Sequence, residues 1–131
     1  MLPLSGIKVL DLSALLPGPF CTMILADFGA EVIKIESVKG GDLFRSSKPL
    51  LKDTGGVFFQ VNRNKKSIAL DLKREEGKQI FYDLVKTADV VIEQYRPGVV
   101  KRLGVDYDTI HKINPRIVYC SLSGYGQTGP Y

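Results

Sequence analysis

Histidine is nearly absent from the 131 residues. His111 stands alone, so no site needing two imidazoles from one chain can form. Tryptophan is missing altogether. The two cysteines, Cys21 and Cys120, make neither a zinc pattern nor a disulfide framework. No long uninterrupted apolar run occurs. Residues 9–28 are rich in Leu, Val and Ile, but Asp11 and Asp27 interrupt them, Pro17-Gly18-Pro19 breaks them in the middle, and no basic cluster precedes them. Neither a signal peptide nor a transmembrane segment is expected. With no secretory signal, the two cysteines fit a reducing, cytoplasmic compartment, where they act as small buried hydrophobes. There is no internal repeat and no low-complexity linker. Charge of one sign is not abundant: 18 Lys plus Arg against 14 Asp plus Glu leave +4. That is mildly basic, well short of a histone-like balance, and suits an anionic small molecule at least as well as nucleic acid. With 44% hydrophobic and 24% charged residues, the chain is neither disordered nor membrane-spanning.

What is present reads as alternating strands and helices. Residues 6–12 have the β-branched, apolar make-up of a buried strand. Pro17 to Pro19 suit a first helical turn, and residues 20–28 follow as a helix, with Met23, Ile24 and Phe28 on one stripe and Gly29 as its stop. Residues 31–36 alternate apolar with charged and form a second strand. Residues 37–56 read as a long loop containing Lys39-Gly40-Gly41-Asp42. Residues 67–72 form a third strand. Glu75 and Glu76 open a helix whose inner face is Ile80, Phe81, Leu84 and Val85. Residues 89–93 form a fourth strand, 98–103 and 106–113 two short helices, and 116–122 a fifth strand. The expected fold is α/β: a Rossmann-like, open, mainly parallel sheet with helices on both faces. Right-handed crossovers gather the loops after the strands on one edge, and that edge carries the ligand in such sheets. Those loops begin near Ser13, Ser37, Lys73, Gln94 and Ser123.

A dinucleotide is the default ligand of this edge, yet its fingerprint is missing. The first strand runs into Leu12-Ser13-Ala14-Leu15-Leu16-Pro17-Gly18-Pro19, and neither G-x-G-x-x-G nor G-x-x-x-x-G-K-[ST] occurs. Such a proline-braced loop offers an apolar wall and few N–H groups for a pyrophosphate. Two cationic clusters are expected at the same edge: Asn62-Arg63-Asn64-Lys65-Lys66-Ser67, and the stretch from Gln94-Tyr95-Arg96 to Lys101-Arg102-Leu103. Arg binds phosphate through a fork and Lys as a point charge, and Tyr95 offers a face to a purine ring. The competing reading is a solvated rim. His111 reads as a surface or cap residue. Asp11, Asp27, Asp89 and Asp106 fall at element ends and read as structural, whereas Asp42 stays open as a loop acid.

Taken in order, several stretches resemble the N-terminal part of the family III coenzyme A transferases, the superfamily that includes alpha-methylacyl-CoA racemase and formyl-CoA transferase. They are Pro3-Leu4-Ser5-Gly6-Ile7-Lys8-Val9-Leu10-Asp11-Leu12, Pro17-Gly18-Pro19-Phe20, and Leu25-Ala26-Asp27-Phe28-Gly29-Ala30-Glu31-Val32-Ile33-Lys34-Ile35-Glu36. They continue with Asn62-Arg63-Asn64-Lys65-Lys66-Ser67-Ile68, Asp89-Val90-Val91-Ile92-Glu93, Tyr95-Arg96-Pro97-Gly98, and Asn114-Pro115-Arg116 leading to Ser123-Gly124-Tyr125-Gly126-Gln127-Thr128-Gly129-Pro130. The resemblance spans nearly the whole chain.

The resemblance implies coenzyme A or acyl-CoA as substrate and no metal. Leu15 and Leu16 would line the coenzyme's path and Leu70 would lie near the adenine. Gln94, Tyr95, Arg96, Arg102 and Leu103 would follow the adenosine and diphosphate. Ser37 departs from the family, which often has Arg there; Lys39 or the group Arg63, Lys65 and Lys66 would then take the phosphate. Family transferases use an aspartate that attacks the thioester, giving an acyl-enzyme anhydride and CoA thiolate, and proceed through an aspartyl-CoA; racemases use a His and an Asp. Both sets follow the Gly-Gln-Thr-Gly-Pro loop, so no residue here is given a catalytic role. Residues 1–131 are thus expected to be the CoA-binding portion of a larger enzyme, inactive alone, with residues 124–131 opening a loop. The implied partners are an acyl-CoA and a carboxylic acid, within an interlocked homodimer and without nucleic acid or membrane. Two alternatives stay open at this point: the racemase, and a non-enzymatic nucleotide or nucleic-acid binding module motivated by the +4 charge.

Overall fold

The computed structural model describes residues 1–130; of the expected loop 124–131, Tyr131 lies outside the described residues. The chain runs through β1 (Lys8–Asp11), α1 (Pro17–Asp27), β2 (Glu31–Glu36), a 3-10 turn (Leu43–Arg45), β3 (Leu50–Leu51), β4 (Thr54–Gly55), α2 (Gly56–Asn62) and β5 (Lys65–Ala69). It continues with α3 (Glu75–Val85), β6 (Val90–Glu93), α4 (Val99–Leu103), α5 (Tyr107–Ile113) and β7 (Val118–Ser121). The main sheet has the order β5-β2-β1-β6-β7 and every pairing in it is parallel. The chain starts in the middle, winds out to β5, then returns to build the other half. That is the doubly wound α/β arrangement, with its switch point between β1 and β6.

Alternation along β1 assigns the two faces. Val9 packs with Ala26 of α1, Val32 and Ile92. Leu10 packs with Ile35, Phe81 and Val85 of α3, Val91, and Ile110 of α5. Both strand neighbours of β1 protect it, so Val9, Leu10 and Asp11 are wholly buried. Asn114 fixes the end of α3 and the turn after it by donating from Nδ2 to the carbonyls of Val85 and Ala88. Among the described residues no helix is long and apolar enough to cross a membrane.

Local details differ from the sequence reading. Helix α1 sits on the sheet through Gly18, Pro19, Thr22, Met23 and Ala26, because small side chains allow close approach. Ile24 and Phe28 therefore point outward instead of sharing the inner stripe with Met23. On α3, Phe81 and Val85 are buried but Ile80 is exposed. Strand β5 begins two residues earlier than expected, and the long loop 37–56 holds the 3-10 turn and the β3–β4 hairpin and runs into α2. Cys21 and Cys120 are half-buried beside the α1-side core. His111 stacks on Tyr107 at 5.2 Å between ring centroids.

Phe81 is fully buried where α3 meets the sheet. Phe81→Ala is expected to cost about 3–5 kcal/mol in urea denaturation, by lost transfer energy and an unfilled cavity. A loss below about 1 kcal/mol would show that this side of the sheet does not carry the core.

Candidate functional site

The carboxyl edge of the sheet is built from the loops after each strand, and the first is short of donors. Two of the first three residues of α1 are prolines, with no N–H. The Gly18 N–H between them donates to Gln94 Oε1 at 2.9 Å, and Phe20 N–H to the Leu16 carbonyl at 2.9 Å. The helix start that holds a pyrophosphate in dinucleotide-binding folds is thus fully used. The Gln94 bond also closes the switch point, since it joins the loop after β6 to the helix after β1. Glycine is required at position 18: a Cβ there would lie 2.2 Å from Ser13 Cβ.

Beneath these loops, on the α1 face, lies a network of buried charges. Asp11 accepts the Ser13 N–H at 2.9 Å, the Ser13 hydroxyl, and the Thr22 hydroxyl at 2.6 Å. Its Oδ2 also pairs with Lys65 Nζ at 3.1 Å. Lys65 spends its other donors on the Pro19 carbonyl at 2.8 Å and Asn62 Oδ1 at 2.9 Å. Burial pulls its ammonium below the ordinary lysine value, against the pull of Asp11. Lys34, 1% exposed, pairs with Asp42 at 3.0 Å and donates to the Ser13 carbonyl at 2.7 Å. Glu36 is held by the Arg45 fork at 2.8 and 2.6 Å, and Arg45 lies 3.9 Å above the Phe58 ring of α2. Glu36 stands at the end of β2, where dinucleotide folds keep their ribose-binding acid. Here Arg45, Ser67 and the Asp42 N–H occupy it.

The structure divides the residues singled out by sequence. The cluster at 62–67 is not at the carboxyl edge. Arg63 pairs with Asp27 at the far end of α1 and Lys66 with Glu31 at the start of β2, while Lys65 is a buried tie of the network. A segment preceding a parallel strand enters from the amino edge. Two cavities do lie at the carboxyl edge, and both are lined by Tyr95. The larger, 540 Å³, is lined by Pro17, Gln94, Tyr95, Arg96, Leu122 and Tyr125 among others. The smaller, 280 Å³, is bounded by Ile35, Ser37, Leu70, Lys73, Tyr95 and Leu103 among others. Burial, and then the Glu93 carboxylate, push the Tyr95 phenol above its ordinary value, so it stays a neutral hydroxyl. Leu15, Leu16, Lys39 and Arg102 are exposed and line neither cavity. The sequence reading places Lys73 only at the start of an edge loop and gives it no binding role. Its signal was available: it is the first cation after β5, on the loop the topology sends to this edge. Asp42 and Asp11 prove to be structural acids, Asp42 with the partner that the sequence did not show.

The model of CoA-transferase family III matches residues 4–131. The chain belongs to that family. It is 50% identical to the succinyl-CoA:glutarate CoA-transferase of Mus musculus, over 99% of this chain and 30% of the relative. It is also 50% identical to the acetyl-CoA:oxalate CoA-transferase of Acetobacter aceti, over 98% of this chain and 33% of the relative. A crystal structure of a CAIB/BAIF family protein from Brucella suis superposes with a TM-score of 0.94 at 41% identity, covering 99% of this chain and 35% of that one. The chain spans about a third of the length of the family III relatives it matches.

The network makes stability depend on pH. Burial pushes the Glu36 carboxyl up, but the Arg45 fork, the Ser67 hydroxyl and the Asp42 N–H outweigh it and hold the group at about 2, against an ordinary 4.5. The unfolded chain binds this proton more tightly, so the contribution is complete above pH 4.5 and is lost as pH falls through about 2. Urea denaturation across that window is expected to show a shallower loss for Arg45→Met than for the parent protein. Equal slopes would show that Arg45 does not hold the charge.

Proposed function

We propose that this chain is the N-terminal, coenzyme-A-holding part of a CoA transferase that moves CoA between carboxylic acids. The observation that carries the reading is the pair of cavities on either side of Tyr95. Coenzyme A is an elongated ligand with a flat base, several phosphates and an apolar, amide-containing arm. The smaller cavity has aliphatic walls from Ile35, Leu70, Val99 and Leu103, which suit the base, and Ser37 and Lys73 at its polar side. The larger brings Pro17, Pro97 and Leu122 together with Arg96, which suits the arm and a phosphate. Because the start of α1 has no N–H to spare, side-chain cations must neutralise the phosphates. Lys73, Arg96 and, on α4, Arg102 are exposed on the loops of this edge. Lys39 on the loop after β2 is a further exposed cation for the position where the family often has Arg.

The chemistry follows from the resemblance. An aspartate beyond the Gly124–Pro130 loop attacks the thioester carbon and expels CoA thiolate, leaving a mixed anhydride. The thiolate then attacks the enzyme's carbonyl to give aspartyl-CoA and frees the first acid. The acceptor acid takes the CoA back through the same two steps. The part described here keeps the thiolate in place between steps and carries no catalytic residue of its own. The whole enzyme works in the cytoplasm as an interlocked homodimer. The outer face of α1 supports that assembly. Leu16, Phe20, Ile24 and Phe28 follow one another at four-residue spacing and are all exposed, Phe20 at 49% and Phe28 at 51%. A helix apolar on both sides belongs in an interior.

Titration calorimetry with CoA is expected to show binding that Tyr95→Ala weakens about tenfold, with no heat from NAD. Absence of CoA binding would overturn the reading. Sedimentation is expected to show association that Phe20→Glu with Ile24→Glu abolishes. A clean monomer for the parent protein would overturn the assembly.

A further inference from the structure

We infer that Asp42 is a positioning residue: gripped by the buried ammonium of Lys34, it holds the Leu15–Leu16 turn and so sets Pro17, the next residue, as an apolar wall of the larger cavity. The wall's role rests on the functional reading above, whereas the clamp itself rests on geometry alone.

Leu15 has φ of 62°, a left-handed backbone that a leucine avoids. It is exposed, so no burial of its side chain offsets the strain. Such a conformation persists only where the surroundings over-determine it. They do so through one carboxylate. The Leu15 N–H lies 3.2 Å from both oxygens of Asp42, 27 residues away in the chain. Asp42 also receives the Phe44 N–H at 3.0 Å, which starts the 3-10 turn and fixes the carboxylate from behind. Lys34 Nζ reaches Asp42 at 3.0 Å and the Ser13 carbonyl at 2.7 Å. One ammonium thus holds the chain two residues before Leu15 and the acid that receives Leu15 itself. Capping the 3-10 turn needs only the Phe44 bond and leaves the Leu15 bond unexplained. Nor does the sheet need a lysine between Val32 and Glu36, where burying one is costly unless it is paired. The held turn leads directly into Pro17, which lines the larger cavity. Fixing the turn at Leu15 therefore fixes where Pro17 stands in that cavity's wall.

The test is Asp42→Ala, with Lys34→Met/Asp42→Ala as a second variant that removes both buried charges and so avoids leaving an unpaired ammonium. Amide hydrogen exchange is expected to quicken at Leu15 and Leu16 in both variants while β1 and β2 stay protected. CoA affinity is expected to fall about tenfold. Asp106→Ala, which removes the cap of α5, serves as control and is expected to lower stability without changing CoA affinity. Unchanged exchange at Leu15 and Leu16 would overturn the clamp. Faster exchange with parental CoA affinity, or an equal loss of affinity in the control, would overturn the wall. A parent protein that binds no CoA overturns the functional reading and the wall with it, and the exchange result still decides the clamp.

Discussion

Two lysine–aspartate pairs, Lys65 with Asp11 and Lys34 with Asp42, lie out of water between the sheet and the elements that cover it. Burying four charges is unfavourable unless each finds an opposite charge and further hydrogen bonds. Here they find both, and the further bonds are what organise the upper half of the molecule. Asp11 takes the start of the loop after β1 and the middle of α1, Lys65 the first turn of α1 and the end of α2, Lys34 the loop after β1, and Asp42 both that loop and the one after β2. Three stretches far apart in sequence, residues 13–22, 42–44 and 62–65, are thereby referred to one small cluster. Because the dielectric is low there, removing any one partner strands the other.

The same cluster explains how a doubly wound sheet departs from dinucleotide binding while keeping its winding. The crevice at the switch point is shut by Gln94 on Gly18, the helix start has prolines where free N–H groups would be, and the acid at the end of β2 is bound to Arg45. Each position that reads a dinucleotide in related topologies is spent on the protein itself. What is left open lies to either side, in the two cavities that share Tyr95. In the proposed reading, recognition of an anionic ligand passes from backbone to side chains, and from the centre of the edge to its flanks.

Much of the fold was legible because buried parallel strands are short apolar runs. The five sheet strands, their order of appearance and the helices between most of them follow from that pattern and from Pro17, Gly29, Glu75 and Glu76 at helix ends. Helix α2 was not legible, since GVFFQVN is short, uncapped and packed mainly through Phe58 and Val61. The cationic stretch at 62–67 misled for a physical reason. Whether a lysine is rim or core depends on what faces it, and Asp11 stands 54 residues before Lys65. The site was partly legible: Ser37, Leu70, Gln94, Tyr95, Arg96 and Leu103 line the cavities. The two lysine–aspartate pairs, which no local pattern encodes, were not.

The depth of those two lysines bears on chemical wear. Thioesters acylate accessible amines without any catalyst, so a protein that holds acyl-CoA is bathed in a reagent for its own lysines. Acylation at Lys48, Lys52 or Lys101 on the surface removes a charge and little else. At Lys34 or Lys65 it would leave a buried aspartate without its partner and force an acyl group into a packed interior. With side chains 1% and 2% exposed, these two amines lie out of reach of that reagent while the protein is folded. The charges on which the architecture depends are the ones a thioester cannot touch.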